Sequence, residues 1–131
     1  MLKYGPTGAL NEYQYKGGFF HGIHYGGYHN DIKALFKLID EEEAYILKSI
    51  QKRRIMMDLY ETDLTPEVLD YLMKHLANMS DRIYKLAFAA EPQSLRKLNR
   101  ALKKNGSIAS GIYFLNPDQE TGKTWLVSDN F

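Results

Sequence analysis

The stretch Arg53-Arg54-Ile55-Met56-Met57-Asp58-Leu59-Tyr60-Glu61-Thr62-Asp63-Leu64-Thr65-Pro66 constrains the fold of this chain more than any other. A short apolar run follows two arginines, holds no glycine or proline, and ends in an acidic, hydroxyl-bearing loop, which is the pattern of a buried parallel strand. Thr65 then offers a capping hydroxyl, and Pro66 stands where the first residue of a helix needs no N–H donor. Strand, loop and capped helix make one α/β unit whose loop lies at the carboxyl end of the strand. In open α/β sheets that end is where ligands and partners are met.

The rest of the chain repeats the unit. Residues 1–10 carry Gly5, Pro6 and Gly8 without periodicity and read as an irregular arm. Asn11 to Lys16 and Phe19 to Tyr25 both alternate, and the Gly17-Gly18 link between them signals a β-hairpin. In the second strand Phe19, His21, Ile23 and Tyr25 share one face, while Phe20, Gly22, His24 and Gly26 share the other. The half-glycine face suits either a close approach by a ligand or a twisted strand lying under a helix.

Asn30 can cap a helix with Ile32, Leu35, Phe36 and Ile39 on one stripe. Glu43 would fall in that stripe, so the helix either stops near Glu41-Glu42-Glu43 or runs past the sheet edge. Strands are expected over about Arg54–Tyr60, Ile83–Ala90 and the Gly111–Leu115 half of Ile108–Leu115. Helices are expected over Pro66–Met79, Pro92–Asn105 with Gly106 as C-terminal cap, and about Lys123–Val127. His75 is placed at the boundary between the two faces of its helix. The expected order is β-β-α-β-α-β-α-β-α: an α/β fold with a mixed, mainly parallel sheet, an opening hairpin and about four helices in a single domain.

At 131 residues and 44% hydrophobic, the chain can bury a core without staples. Its net charge of +1 provides no global footprint for nucleic acid, and none is expected as a partner. The absence of cysteine excludes disulfides, thiolate metal sites and cysteine nucleophiles. No apolar run approaches the roughly 18 residues of a membrane span, and the first residues lack a signal-peptide pattern, so a cytoplasmic location is expected.

The strand Phe19–Tyr25 leading through Asn30-Asp31 into the first helix, and Ile55 to Leu59 leading into the second, resemble the two best-known stretches of the STAS domain. This is the (SpoIIAA-like) fold of anti-sigma-factor antagonists and of the cytoplasmic tails of sulfate-type transporters. The resemblance covers nearly the whole chain and implies a divergent bacterial member with a regulatory protein partner. The family's Asp-Ser-Ser-Gly-type phosphorylated loop has no counterpart here, where Glu61-Thr62-Asp63-Leu64-Thr65-Pro66 stands instead. Thr62 or Thr65 would have to take the phosphate, and Thr65 already serves as a cap.

Two functional readings follow. In the first, a non-catalytic interaction module meets its regulatory partner through Asp58, Tyr60, Glu61, Thr62, Asp63 and Thr65, as a monomer or homodimer. In the second, a carrier of the same fold holds a small hydrophobic or lipid-like ligand against Phe20, His24 and Tyr28. Helix three adds a face of Arg96, Lys97, Arg100, Lys103 and Lys104, with no acid between Gln93 and Gly106. Arg96, Arg100 and Lys103 are its candidate anion-binding residues, although a solvated amphipathic helix gives the same pattern.

No catalytic residue, cofactor or metal is assigned. His21 and His24 are three apart on a strand and point to opposite faces. Gly122-Lys123-Thr124 has Pro117 where a phosphate loop needs its first glycine. Clustered carboxylates at Asp58, Glu61 and Asp63 could raise one pKa, but no positioned acid–base partner is legible.

Overall fold

The structure, a computed structural model, describes residues 11–25, 31–48 and 50–128, the first three by backbone alone. Five strands form one sheet in the order β1-β2-β3-β4-β5: β1 (Asn11–Tyr15), β2 (Gly18–His24), β3 (Arg53–Asp58), β4 (Ile83–Ala89) and β5 (Tyr113–Leu115). β1 pairs antiparallel with β2, and every later pair is parallel. Four α-helices follow the strands in turn: α1 (Ile32–Leu47), α2 (Pro66–Met79), α3 (Pro92–Asn105) and α4 (Gln119–Val127). The chain is therefore α/β with the expected order of elements.

Alternation divides the sheet's side chains between two unequal layers. Ile23, Tyr25, Ile55, Met57, Leu86 and Phe88 meet the buried stripes of α1, α2 and α3 in one core. On the opposite face Phe20, Met56, Ala87 and Ala89 meet Leu126 and Val127 of α4, with Tyr15, Tyr60 and Trp125 packed around them. Among the described residues, one face lies under three helices and the other under a single short one.

Local chemistry explains where the boundaries fall. The hairpin turns on Lys16 and Gly17, both at positive φ (47° and 83°), as a primed two-residue turn requires. The link is thus one residue earlier than the Gly17-Gly18 expected, and Gly18 pairs with Tyr15 as the first residue of β2. α1 is capped by Asp31, whose Oδ1 accepts from the Ala34 N–H at 3.0 Å; Asn30 lies outside the described residues.

α1 also runs through Glu41-Glu42-Glu43 to Leu47, and two of the acidic residues on its packed side, Asp40 and Glu43, find partners on α2. Glu43 accepts from His75 Nδ1 at 3.0 Å and from Asn78 Nδ2 at 3.2 Å. Thr65 caps α2 through the Val68 N–H, and Gly106, at φ 72°, closes α3. α4 starts four residues before the expected Lys123, since the Asp118 carboxylate accepts from the N–H groups of Glu120 and Thr121. No helix among the described residues is long and apolar enough to cross a membrane.

Candidate functional site

A cleft of about 260 Å³ opens on the α4 side of the sheet, lined by Gln14, Tyr15, Phe20, Gly22, Ile23, His24, Met56, Asp58, Gln119 and Lys123. It exists because α4 is the sole cover of this face among the described residues and because Gly22 leaves the strand without a side chain between Phe20 and His24. Phe20 and Met56 make its apolar part. His24, Asp58, Gln119 and Lys123 bring polar groups to the carboxyl ends of β2 and β3.

The parallel register sets His24 beside Asp58, and the side chains meet, Nδ1 to Oδ2, at 2.9 Å. The same Oδ2 accepts from Gln119 Nε2 at 3.0 Å, and Oδ1 accepts from the Tyr60 N–H at 3.0 Å. Asp58 is therefore held by groups from β2, α4 and its own loop. With Nδ1–H donating to the carboxylate, the imidazole is fixed in orientation and Nε2 remains as its second polar atom, an acceptor in the neutral ring and a donor in the charged one. The His24 side chain is 55% exposed, so a molecule in the cleft can reach it.

α4 is a fixed wall. At its start the Tyr60 hydroxyl donates to the Pro117 carbonyl, and the Tyr15 hydroxyl donates to Glu120 Oε2 at 2.6 Å. At its end Arg54 donates to the Leu126 carbonyl at 2.6 Å and Lys85 to the Trp125 carbonyl at 3.0 Å, cations placed where the helix dipole favours them. Trp125 stacks on Phe114 with ring centroids 5.2 Å apart. The Asp118 carboxyl is held below its ordinary pKa, first by the Thr121 hydroxyl and then by backbone N–H groups at the cap. Gln119, next to the cap, and Lys123, one turn further on, stand four residues apart on the arc of α4 that faces the cleft.

Phe20 and His24 lie together in this cleft, while Tyr28 is outside the described residues. The residues assigned to a partner loop are split. Asp58 and Tyr60 turn toward α4, Thr62 is buried, and Thr65 caps α2, leaving Glu61 and Asp63 exposed. Glu61 sits at φ 63°, a conformation uncommon for a side-chain-bearing residue, and its N–H donates to Glu91 Oε2 at 3.1 Å. Arg96, Arg100 and Lys103 are all exposed on α3. Arg100 joins Lys97 and Lys104 along a groove against α2, whereas Arg96 and Lys103 are not among its lining residues.

Gly122 lies inside α4, where a Cβ would meet Met56 at 3.4 Å and Ala87 at 3.5 Å, so the Gly-Lys-Thr triplet forms part of a packed helix. His21 is buried beside Arg53, with the guanidinium 3.0 Å from its Nε2, on the face opposite His24. Among the described residues no three histidine or carboxylate side chains are grouped to hold a metal ion.

Sequence reasoning missed Gln119 and Lys123, which a helix starting at Asp118 would have put on one arc. It also missed a second polar cluster inside the three-helix face. His75 is buried, not at a helix-face boundary, and links Glu43 at Nδ1 to the Tyr25 hydroxyl at Nε2, 3.2 Å away. Burial lowers its pKa, against the pull of Glu43, and the neutral ring accepts from Tyr25. Burial likewise raises the Tyr25 hydroxyl well above its usual range, with Glu42 adding to the shift.

Glu42 is fully enclosed, and neither oxygen has a hydrogen-bond partner among the described residues. Burial pushes its pKa to about 8; the Tyr25 hydroxyl pulls it back in part but is aligned on His75, and Glu41 adds repulsion. This cluster ties α1, α2 and the end of β2 together.

Comparison of the chain with protein-family models, with curated proteins and with solved structures finds no match in any of the three.

Proposed function

We propose that this chain is a non-catalytic small-molecule-binding module, with the cleft between β2, β3 and α4 as its site. The observation that carries this reading is the convergence of His24, Asp58, Gln119 and Lys123 from three elements over an apolar patch of Phe20 and Met56. Few, well-fixed polar groups beside an apolar surface at strand carboxyl ends are what ligand sites are built from. The ligand would be a small organic molecule whose apolar body lies over Gly22, with an acidic or hydrogen-bonding head reaching His24 and Lys123. At about 260 Å³ the cleft is just below the roughly 300–1,000 Å³ usual for such sites, which favours a small head-and-body molecule over a lipid chain.

This adopts the carrier reading with a narrower ligand, on a frame whose order of elements resembles the STAS domain. The interaction reading rests on Glu61 and Asp63, the part of the strand-end loop left exposed, and a regulatory partner there could sense whether the cleft is filled.

Amide shift mapping by NMR with a library of small aromatic and aliphatic acids and amides tests the proposal. Shifts concentrated at Gly22, His24, Asp58 and Gln119, and lost in Gly22→Val, are the expected result. Hits that map elsewhere, or that survive Gly22→Val unchanged, contradict it. A hit chemically altered by the wild type but not by His24→Gln would replace binding with catalysis.

A further inference from the structure

On the other face of the molecule, two adjoining cavities of about 590 and 470 Å³ share Ala101 and Lys104 and together form one groove between α2 and α3. Leu64, Pro66, Leu69, Met73 and Ala101 supply its apolar surface. Along the α3 wall stand Lys97, Arg100 and Lys104, at helical spacing of three and four, all exposed and none with an ion-pair partner among the described residues. The opposite wall is mixed, with Asp63 of the preceding loop and Asp70 of α2 against Lys74. From Pro66 to Lys74 it runs about 12 Å at the helical rise, enough to seat a little over two helical turns.

Three unneutralised cations in a row beside an apolar floor are complementary to a segment that carries acids on one edge and leucine-like side chains on the next. We infer that the α2–α3 groove is a docking surface for an acidic amphipathic helical segment of a partner protein, its carboxylates set against Lys97, Arg100 and Lys104. The concave, one-sided arrangement selects such a segment over an anionic membrane. A lipid plane would meet Glu67 and Asp70 of α2 together with the cations, and would leave the groove's apolar floor unfilled. The inference stands apart from the ligand cleft, which lies across the sheet and shares none of these residues.

The test uses the full chain and a labelled amphipathic helical peptide of leucine, alanine and glutamate, followed by fluorescence anisotropy. Binding should weaken with salt and fall at least about tenfold in Arg100→Glu with Lys104→Glu, a double change at exposed positions that leaves the fold intact by circular dichroism. The same peptide with lysine for glutamate should bind the double variant better than it binds the wild type. Lys33→Glu with Lys37→Glu, exposed on α1, should leave binding unchanged. Failure of the acidic peptide to bind, equal binding of both peptides by the wild type, or association with mixed anionic vesicles in place of the peptide would each overturn the inference.

Discussion

The two faces of the sheet are built from the same strands and put to opposite uses. Beneath α1, α2 and α3 the central strand residues are enclosed, and the polar groups there are turned inward: Tyr25, His75 and Glu43 form a chain of hydrogen bonds, and Glu42 is shut away from water. On the α4 face the cover among the described residues is one short helix pinned at both ends, a glycine replaces a side chain, and polar groups face outward into a cleft. The difference teaches that stability is concentrated on one face, which leaves the other able to keep an open, pre-arranged site.

The largest effect that could break this contrast is a paired truncation. Phe88→Ala, in the three-helix core, should cost about 3–5 kcal/mol, while Phe20→Ala, whose lost volume opens onto the cleft instead of leaving a closed cavity, should fall at or below the lower end of that range. Chemical denaturation of both variants gives the two values, and equal costs would erase the distinction between a closed and an open face.

Next in size is the enclosed carboxyl. Glu42 has its folded-state pKa raised from 4.5 to about 8, so between those values the folded chain keeps a proton that the unfolded chain has released. Its contribution to stability therefore falls as pH rises from about 4.5 to about 8 and is level beyond. Glu42→Gln should match the wild type near the lower value and exceed it by roughly 2–4 kcal/mol at about pH 9. Thermal unfolding across this range checks the sign, and a variant destabilised at high pH would mean that the ionised carboxylate is satisfied in the folded chain.

The smallest effect sharpens the comparison from the cleft side. Gly122→Ala gains helix propensity, up to about 1 kcal/mol, but its methyl group would press closely on the Met56 thioether at 3.4 Å and on Ala87 at 3.5 Å. A flexible methionine at the border of an open cleft can give way, so a net gain below about 1 kcal/mol is expected. A net loss in denaturation would show Met56 to be as tightly held as the closed core.

What could be read from the sequence was local. Thr65-Pro66 and Gly106 announce helix ends through their own chemistry, and the stripes of α2 and α3 need only their periodicity. Two features escaped and a third, the end of α1, was left between two alternatives, for one physical reason: they depend on pairings between segments far apart in the chain. The His24–Asp58 contact arises from the parallel register of β2 on β3. The continuation of α1 through its glutamates depends on His75 and Asn78 of α2. The cleft depends on α4 crossing beneath Gly22, and the signal that could have found its wall, the Asp118 cap with Gln119 and Lys123 one turn apart, was hidden behind Asn116-Pro117, which reads first as a turn.

The central claim is that the face under α4 holds a small molecule, and native mass spectrometry of the gently purified protein tests it most directly. The account predicts a mass above that of the polypeptide which disappears on denaturation, is retained in Arg100→Glu and is absent in Gly22→Val. A bare polypeptide mass for the wild type, or an added mass indifferent to Gly22→Val, would contradict it.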